Sequence, residues 1–397
     1  MVAENVEVAP SPDTDKVCGL SVVLPCLDEA ETLARCITKA QRSMQQLGID
    51  GEVVVADNGS TDGSQQIARD LGARVIEVPV KGYGSALQGG ISAARSEFVV
   101  MADADGSYDL SRLGPFVDAL RAGADLVMGN RFKGGIESGS MPRLNRYVGN
   151  PALTRIGQLL FRSPSGDFHC GMRAFRRSSI LSLGLRTAGM EFASEMVVRA
   201  TIAKLEIVEV PVTLSPDGRT RAPHLRPWRD GWRHLRFLLL YSPRWLFFYP
   251  GIALMIVGTV LGIALLPGPL QFGSVGLDVN AFVYCAVAVI IGYQAVAFSV
   301  FARAFAASEG LLPPTKTMER IFRVVTLEVG LTVGFLLFLA GIGLSIYTLV
   351  FWSGKSFGAL STSSTIRLVV PAATLMILGL ETVMASFFLS ILGINRR

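Results

Sequence analysis

The chain has 397 residues, which predicts more than one domain, and half of its residues are hydrophobic. Its net charge of +5 is modest, and the basic bias ahead of the apolar C-terminal part suits lipid head groups, so we expect no nucleic-acid partner. The five cysteines include no CxxC pair, which argues against a zinc site or a disulfide framework and favours a reducing compartment.

Residues 1–17 are polar and acidic and lack an apolar segment, so we expect a disordered leader and no signal peptide. Residues 18–225 alternate short apolar runs with amphipathic stretches, which predicts an α/β domain with a mostly parallel sheet and right-handed crossovers. The predicted strands are Leu20–Leu24, Glu52–Ala56, Arg74–Val78 and Phe98–Ala102, and the predicted helices are Glu29–Leu47, Thr61–Leu71 and Gly84–Arg95.

Acidic residues follow three of these strands, at the sheet edge where ligands of such folds bind. Asp28 and Glu29 follow the first strand, Asp57 the second, and Asp103 and Asp105 the fourth. Two carboxylates at such an edge can share a divalent cation with a diphosphate, which predicts Mg²⁺ or Mn²⁺ as the cofactor. For an isolated pair of this kind, the alternative is a solvated turn.

The turn after the second strand suggests nucleotide binding. Asp57 can accept a hydrogen bond from the imide N–H of a uracil or guanine base, while Ser60 or Thr61 can cap the following helix. Lys81 precedes another predicted helix N-terminus, which favours anions such as a diphosphate, although a simple turn is the alternative.

Together these motifs resemble the family 2 glycosyltransferases of the Rossmann-like GT-A fold, and within them the dolichyl- or polyprenyl-phosphate sugar synthases. The resemblance covers about Leu20 to Leu240 and continues into the C-terminal membrane helices. It implies that the donor pocket is lined by Pro25, Leu27, Glu29 and Asp57, with Asp103 and Asp105 holding metal and diphosphate. The motifs are Pro25-Cys26-Leu27-Asp28-Glu29, Asp57-Asn58-Gly59-Ser60 and Asp103-Ala104-Asp105.

The chain departs from this family at two positions. Ser107 stands where a Gln is often a further metal contact, so Ser107 becomes the third candidate ligand, and Asn58 replaces the usual second acid. Residues 218–224 resemble the flexible loop that closes over the donor, which makes Arg219 and Arg221 candidate diphosphate contacts.

The resemblance also implies an acceptor site. Arg131 corresponds to the arginine that contacts the acceptor phosphate, and Arg143 or Arg146 is the candidate for a second one; a surface charge is the alternative for each. Residues 167–173, called the acceptor loop below, supply the candidates Asp167, His169 and Arg173, of which His169 is alternatively structural.

A phosphate acceptor is mostly dianionic at neutral pH and needs charge compensation rather than a general base. Arginines provide that compensation, so we predict in-line, inverting attack with Asp105, Arg131, Arg143 and Arg146 as the catalytic set. Glu195 lies where a related enzyme with a hydroxyl acceptor could place its base, and we expect a positioning role for it.

The C-terminal part is predicted to lie on and in a membrane. Residues 226–243 place Trp and Arg on neighbouring helical strips, as in an interfacial helix, with packing on the soluble domain as the alternative. Residues 244–397 contain four apolar runs long enough to span, and loop charges place the catalytic domain and both termini in the cytosol. The spans are about 245–266, 281–302, 327–352 and 368–392.

Two polar residues inside these spans, Gln294 and Glu381, lie at similar depth, and we expect them to hydrogen-bond within or between subunits. The sequence leaves the oligomeric state open, with a homo-oligomer as one alternative. It favours transfer of a hexose from UDP-glucose, with GDP-mannose as the alternative, to polyprenyl phosphate. The competing hypotheses are a glycolipid synthase with a hydroxyl acceptor, a processive polysaccharide synthase, and a nucleotide-binding protein without catalysis.

Overall fold

The computed structural model describes residues 19–220, 227–309, 312, 320, 326–358 and 361–393. The chain divides into two compact units, Met1–Leu238 and Leu239–Arg397. The predicted leader and Arg221 lie outside the described residues.

The first unit is built on a seven-stranded sheet with the order β3-β2-β1-β4-β6-β5-β7. β6 is antiparallel to both of its neighbours, and the other pairs are parallel, so the predicted mostly parallel sheet is confirmed. The strands are β1 Leu20–Cys26, β2 Gly51–Asp57, β3 Arg74–Glu77, β4 Phe98–Met101, β5 Leu126–Asn130, β6 Arg173–Arg176 and β7 Ile207–Pro211.

Helices cover this sheet and carry the loops of the site. The interior strand β1 is mostly apolar and almost wholly buried, as expected for a strand covered on both faces. The helices are α1 Leu33–Gln46, α2 Ser64–Asp70, α3 Tyr83–Ala93, α4 Gly114–Arg121, α5 Arg131–Gly134, a π-helical turn Asn145–Gly149, α6 Asn150–Phe161, α7 Arg177–Ser182, α8 Phe192–Ile202 and α9 Pro227–Leu240.

Helix α2 begins later than predicted, so the expected capping by Ser60 or Thr61 is wrong. The residue before α2 is Gly63, whose φ of 90° suits glycine, and the first helical N–H, that of Ser64, donates to Asp62 Oδ1 at 3.0 Å. The backbone N–H of Ser60 instead donates to Asp57. Asp62 therefore accepts the first helical N–H in place of Ser60 or Thr61, and Asp57 holds Ser60 in the turn.

The second unit contains four helices that are long and apolar enough to cross a membrane, which confirms the predicted bundle and makes this a membrane protein. A π-helical segment, Arg244–Phe248, leads into α10, and a β8–β9 hairpin joins α10 to α11. The elements are α10 Tyr249–Leu265, β8 Leu270–Phe272, β9 Val275–Leu277, α11 Val279–Ser308, α12 Leu327–Ser353 and α13 Thr362–Gly393.

Glycines allow close helix contacts in this bundle. A Cβ on Gly251 would lie 2.8 Å from the Gly292 carbonyl, and one on Gly334 would lie 2.7 Å from the Gly379 carbonyl. Such small residues let membrane helices approach where burial of apolar surface gives no driving force.

The predicted hydrogen bond between Gln294 and Glu381 is not formed within the chain. Gln294 lies on the exposed surface of α11, and Glu381 Oε2 is enclosed without a hydrogen-bond partner among the described residues. The adjacent residues Tyr293 and Thr382 hydrogen-bond instead, with their oxygens 2.7 Å apart. Because successive helical residues are about 100° apart, an offset of one residue turns Gln294 out of the contact.

Candidate active site

The carboxyl ends of three neighbouring strands form one edge of the catalytic sheet. β1 pairs with β2 such that Cys26 faces Asp57, and its other neighbour β4 ends at Met101 opposite Val23. The antiparallel strand β6 begins at Arg173, paired with Met101, so the acceptor loop reaches the same edge. The sheet therefore brings the three predicted acidic segments and the acceptor loop together.

The turn after β2 is shaped by Asp57. Its carboxylate is 1% exposed and accepts hydrogen bonds from Gly59 N at 3.0 Å, Ser60 N at 3.2 Å and Gln65 Nε2 at 2.7 Å. These contacts hold the turn at the strand end, where Pro25 of the neighbouring strand and Leu27 just after it are partly exposed.

Asn58 has a structural role that the sequence did not indicate. Its side-chain amide donates to Val78 O at 2.9 Å and Val80 O at 2.7 Å and accepts from Gly82 N at 2.7 Å. Its backbone carbonyl accepts from Lys81 Nζ at 2.5 Å, which draws this candidate diphosphate contact onto the turn after β2. An aspartate here would lack the amide donor that the bonds to Val78 and Val80 need.

The N-terminus of α3 does not provide the predicted anion site. The N–H groups of Gly84 and Ser85 both donate to the Ala188 carbonyl, at 2.8 and 3.2 Å. A Cβ on Gly82 would lie 2.2 Å from the same carbonyl oxygen. The chain itself therefore occupies the N–H groups of Gly84 and Ser85, and Lys81 remains the candidate contact in this segment.

Asp103 and Asp105 follow β4 and interact electrostatically. Desolvation, and secondarily the charge of Asp105, raise the pKa of Asp103 to about 6. Asp103 Oδ1 accepts a hydrogen bond from the Tyr83 hydroxyl at 2.9 Å, and Asp105 Oδ1 accepts from Ser107 N at 2.9 Å. The two carboxylates thus lie close enough to repel each other, and a cation between them would relieve that repulsion.

Arg219 lies against this acidic cluster. Its Nη2 is 2.9 Å from Asp105 Oδ2 and its Nε is 3.0 Å from Glu29 Oε2, with only 12% of its side chain exposed. The loop that carries Arg219 is anchored on both sides, since Gly218 N donates to Asp105 O and Thr220 donates twice to the Glu31 carboxylate. Arg219 therefore links Glu29, which is also a predicted donor-binding residue, to the predicted metal ligand Asp105.

Among the described residues, no group of three or more His, Cys, Asp and Glu side chains could hold a metal ion by itself. Ser107 is 7% exposed, and the hydrogen bond that it makes to Asp105 comes from its backbone N–H. Asp103 and Asp105 therefore stay the two predicted carboxylate ligands, a number that suits Mg²⁺ or Mn²⁺ shared with phosphate oxygens.

Gly171 gives a first test of this geometry. A Cβ at this position would lie 2.3 Å from Asp103 Oδ2 and 3.1 Å from the Tyr108 ring. We expect Gly171→Ala to displace Asp103 and to lower transfer at least about tenfold, the effect of about 1.4 kcal/mol. Gly231→Ala is the matched control, because its added Cβ meets nothing within 4 Å. Equal activity of the two variants in a transfer assay would contradict this packing.

Arg131 and Asp167 form a buried ion pair. Arg131 Nε and Nη2 each lie 2.7 Å from one Asp167 oxygen, and the Arg131 backbone N–H donates to the same carboxylate at 3.1 Å. Arg131 is 7% exposed and Asp167 is fully buried. Asp167 thus orients Arg131, and no hydrogen bond from Arg131 Nη1 is seen within the described residues.

Arg173 and Glu195 are engaged inside the protein. The Arg173 guanidinium is fully buried and donates to the carbonyls of Phe168, Cys170 and Ala193, so we assign it to support of the acceptor loop in place of the acceptor contact. Glu195 is also fully buried, and its carboxylate accepts from Thr187 Oγ1 at 2.6 Å and from backbone N–H groups of residues 186 and 187.

The remaining predicted arginines lie on a separate segment. Arg143 is exposed, and Arg146 donates to the Ile136 carbonyl at 3.2 Å. No contact places either of them beside Asp105 or Arg131 in the described structure, so the choice between them stays a prediction. Their segment, 141–161, also exposes apolar side chains, namely Leu144, Tyr147, Val148 and Leu159.

Two polar contacts of the acceptor loop could not be read from the sequence. Glu209 on β7 accepts from Gly166 N and from Asn130 Nδ2, and so fixes the residues before the loop. Ser194 on α8 and His234 on α9 both contact the ring of His169 and hydrogen-bond to each other. These partners are separated by 25 to 79 residues in the chain, so no local motif indicates them.

A GT-A sheet whose acidic strand ends surround an arginine, in a chain with four membrane-length helices, defines a membrane-anchored transferase of activated sugars. The family model described as Glycosyl transferase family 2 matches residues 21–184, and that described as Glycosyltransferase family 2 C-terminal transmembrane region matches residues 300–393. The chain belongs to glycosyltransferase family 2 and is a hexosyltransferase.

Relatives with curated names share this assignment. The chain is 36% identical to the low-salt glycan biosynthesis hexosyltransferase Agl6 of Haloferax volcanii, over 98% of this chain and 92% of that protein. It is 34% identical to the dolichyl-phosphate hexose transferase of the same organism, over 49% of this chain and 81% of that protein. A solved glucosyl-3-phosphoglycerate synthase of Mycobacterium tuberculosis aligns at 25% identity with a TM-score of 0.42, over 56% of this chain and 78% of that one.

Proposed function

We propose that the chain transfers a hexose from a nucleotide-activated sugar to polyprenyl phosphate, with inversion at the anomeric carbon. The observation that carries this proposal is that Glu195 and Asp167, the two carboxylates predicted on the acceptor side, are buried and hydrogen-bonded. A hydroxyl acceptor needs an available base, whereas a phosphate with a second pKa near ~6 does not. The relative named dolichyl-phosphate hexose transferase supports the same class of acceptor.

The donor would bind at the edge formed by β1, β2 and β4, and UDP-glucose is the favoured donor, with GDP-mannose as the alternative. Pro25, Leu27 and Glu29 would line the nucleoside side of the cleft, and Asp57 would hold the turn beneath the base. The diphosphate would then meet the positive charges of Lys81 and Arg219 at this edge. Arg221, which lies outside the described residues, stays a predicted diphosphate contact.

The residues present fit a divalent cation, because burial and the charge of the neighbouring Asp105 raise the pKa of Asp103 at this edge, and a cation there would offset that charge. Asp103 and Asp105 would hold it, with Ser107 beside them. When bound, Mg²⁺ or Mn²⁺ would act as a Lewis acid on the departing diphosphate. On the acceptor side, Arg131, oriented by Asp167, would face the attacking phosphate and offset its charge.

Arg219 should influence both donor and cation binding. We expect Arg219→Gln to raise the KM for the nucleotide sugar about tenfold, because a hydrogen bond to a charged group contributes about 1.5–3 kcal/mol. The same change frees Asp105 Oδ2, so Mn²⁺ titrated without nucleotide should bind several-fold more tightly by calorimetry. The exposed Arg42→Gln is the control, and unchanged Mn²⁺ and donor binding in Arg219→Gln would argue against this arrangement.

Loop charges favour a cytosolic catalytic domain, and we propose that the acceptor is met at the cytosolic membrane face. The test uses membranes containing the full chain, radiolabelled UDP- or GDP-hexoses, polyprenyl phosphate, and Mg²⁺ or Mn²⁺. A lipid product released by mild acid is expected from a sugar phosphate. An acid-stable product would favour the glycolipid alternative, with His169 as its base, and a water-soluble polymer would favour the processive one.

A further inference from the structure

Three polar side chains from three segments meet next to the acceptor loop. Ser194 Oγ of α8 lies 2.8 Å from His234 Nδ1 of α9 and 3.4 Å from His169 Nε2 of the acceptor loop. The two imidazoles also contact each other directly, edge to face, with ring centroids 4.6 Å apart. Helix α9 and the acceptor loop are thus connected through one hydroxyl group.

The backbone around His169 is held on both sides by other residues. Arg173 Nη2 donates to Phe168 O and its Nε to Cys170 O, both at 2.9 Å, and the Tyr108 hydroxyl accepts from Gly171 N at 2.8 Å. These bonds fix the direction in which the His169 ring leaves the chain. The contact of His169 with Ser194 and His234 therefore has a defined geometry.

The ring of His169 depends on this contact. Its Nδ1 is enclosed and has no hydrogen-bond partner among the described residues, so Ser194 provides the polar restraint seen on the ring. Burial, and next the neighbouring His234, lower the pKa of His169 well below its usual range, with Arg131 and Arg173 acting in the same direction. A neutral ring can donate to or accept from the serine hydroxyl, as the bridge requires.

Helix α9 presents two different faces. His234 is 8% exposed and lies with the buried residues Phe237 and Leu238, whereas Trp228 and Trp232 are 81% and 59% exposed. Exposed tryptophans on an amphipathic helix are typical of a helix at the membrane interface. The same helix can therefore contact lipid with one face and the acceptor loop with the other.

We propose that His234 and Ser194 are positioning residues that connect α9 to the acceptor loop and hold His169 and Asp167 in register for a membrane-borne acceptor. This inference rests on the proposed function, because it takes a lipid phosphate as the acceptor. Asp167 in turn orients Arg131, so a shift of the loop would be felt at the group proposed to meet the phosphate. The bridge reaches the acceptor loop at His169, whereas the loop packs against the predicted metal ligand Asp103 at Gly171.

Kinetics of the full-length enzyme in lipid vesicles test the proposal. We expect His234→Leu and Ser194→Ala each to raise the KM for polyprenyl phosphate about tenfold, and the KM for the nucleotide sugar less than twofold. His234→Asn should restore most of the acceptor KM, because its side-chain amide can place a nitrogen near the position of Nδ1. The double variant should lose little more than either single one, since both break the same bridge.

Different results would contradict the proposed function and the positioning role of His234 and Ser194. If the unchanged enzyme gives no transfer to polyprenyl phosphate, the proposed function is wrong. If it transfers sugar and the His234 and Ser194 variants keep its acceptor KM, or alter both KM values equally, the positioning role is wrong.

Nitrogen-15 NMR supplies a measurement that does not depend on activity. The chain has three histidines, so His224→Gln leaves only the signals of His169 and His234. We expect Ser194→Ala in that background to move the ring signals of both histidines while the protein stays folded. Unchanged ring signals in the folded Ser194→Ala protein would overturn the bridge itself.

Discussion

Asp105→Asn is expected to reduce hexose transfer by about 100- to 1,000-fold, because a cation lost from the diphosphate removes several kcal/mol of charge stabilisation. The substitution is small, and an amide oxygen can still accept the hydrogen bond from Ser107 N that Asp105 Oδ1 accepts now. What disappears is the negative charge that faces Arg219. Radiolabel transfer to lipid at saturating donor measures the loss.

Asp109→Asn is the matched control, because Asp109 lies in the same loop but pairs at 3.2 Å with Lys39, where both side chains are substantially exposed. Such surface pairs contribute at most about 1 kcal/mol, so little change in transfer is expected. In metal-free protein, Asp105→Asn should also lower the pKa of Asp103 from about 6, as carbon-13 NMR of its carboxyl group can detect. Activity within threefold of the unchanged enzyme would exclude Asp105 from the cation site.

Arg131→Ala is expected to destabilise the catalytic unit by about 3–5 kcal/mol, since it leaves the Asp167 carboxylate buried without its partner. For a unit of this size, that loss corresponds to a fall of roughly 10 °C in its unfolding temperature. Circular dichroism or calorimetry of detergent-solubilised protein would follow the transition. A variant as stable as the unchanged chain would show that water already reaches this pair.

A paired substitution separates stability from chemistry. Arg131→Met combined with Asp167→Leu removes both charges and should recover most of the stability, because buried ion pairs are often replaced by apolar groups at little cost. Transfer to polyprenyl phosphate should stay low, since the proposed compensation of acceptor charge is missing. Recovery of transfer along with stability would limit Arg131 to a structural role.

The grouping of the acidic strand ends at one sheet edge was largely predictable, because its signals are local. A buried strand followed within five residues by acids, repeated along β1, β2 and β4, requires those acids to share one sheet edge once the strands are parallel. Four apolar runs of spanning length predicted the membrane helices in the same direct way.

The acceptor side was less predictable because it depends on distant pairings. Because β6 is antiparallel to β4, the acceptor loop before it lies at the same sheet edge as the acidic strand ends. The spacing of residues 163–176 does not predict this reversal of strand direction. Arg173 therefore looked like a ligand contact, although its fully buried guanidinium closes on three carbonyls. In the bundle, a shift of one residue along each helix was enough to give a Tyr293–Thr382 hydrogen bond within the chain in place of the predicted Gln294–Glu381 one.

The arginine that bridges Glu29 and Asp105 has a consequence for the resting enzyme. This internal counterion already offsets part of the negative charge of Glu29, Asp103 and Asp105, so a calcium or zinc ion would have to displace the Arg219 side chain before binding at Asp105. The site would then select among cations only after a nucleotide binds, because the nucleotide phosphates give Arg219 another anion to pair with. In the absence of nucleotide, the membrane-bound enzyme would therefore take up little calcium or zinc at this site.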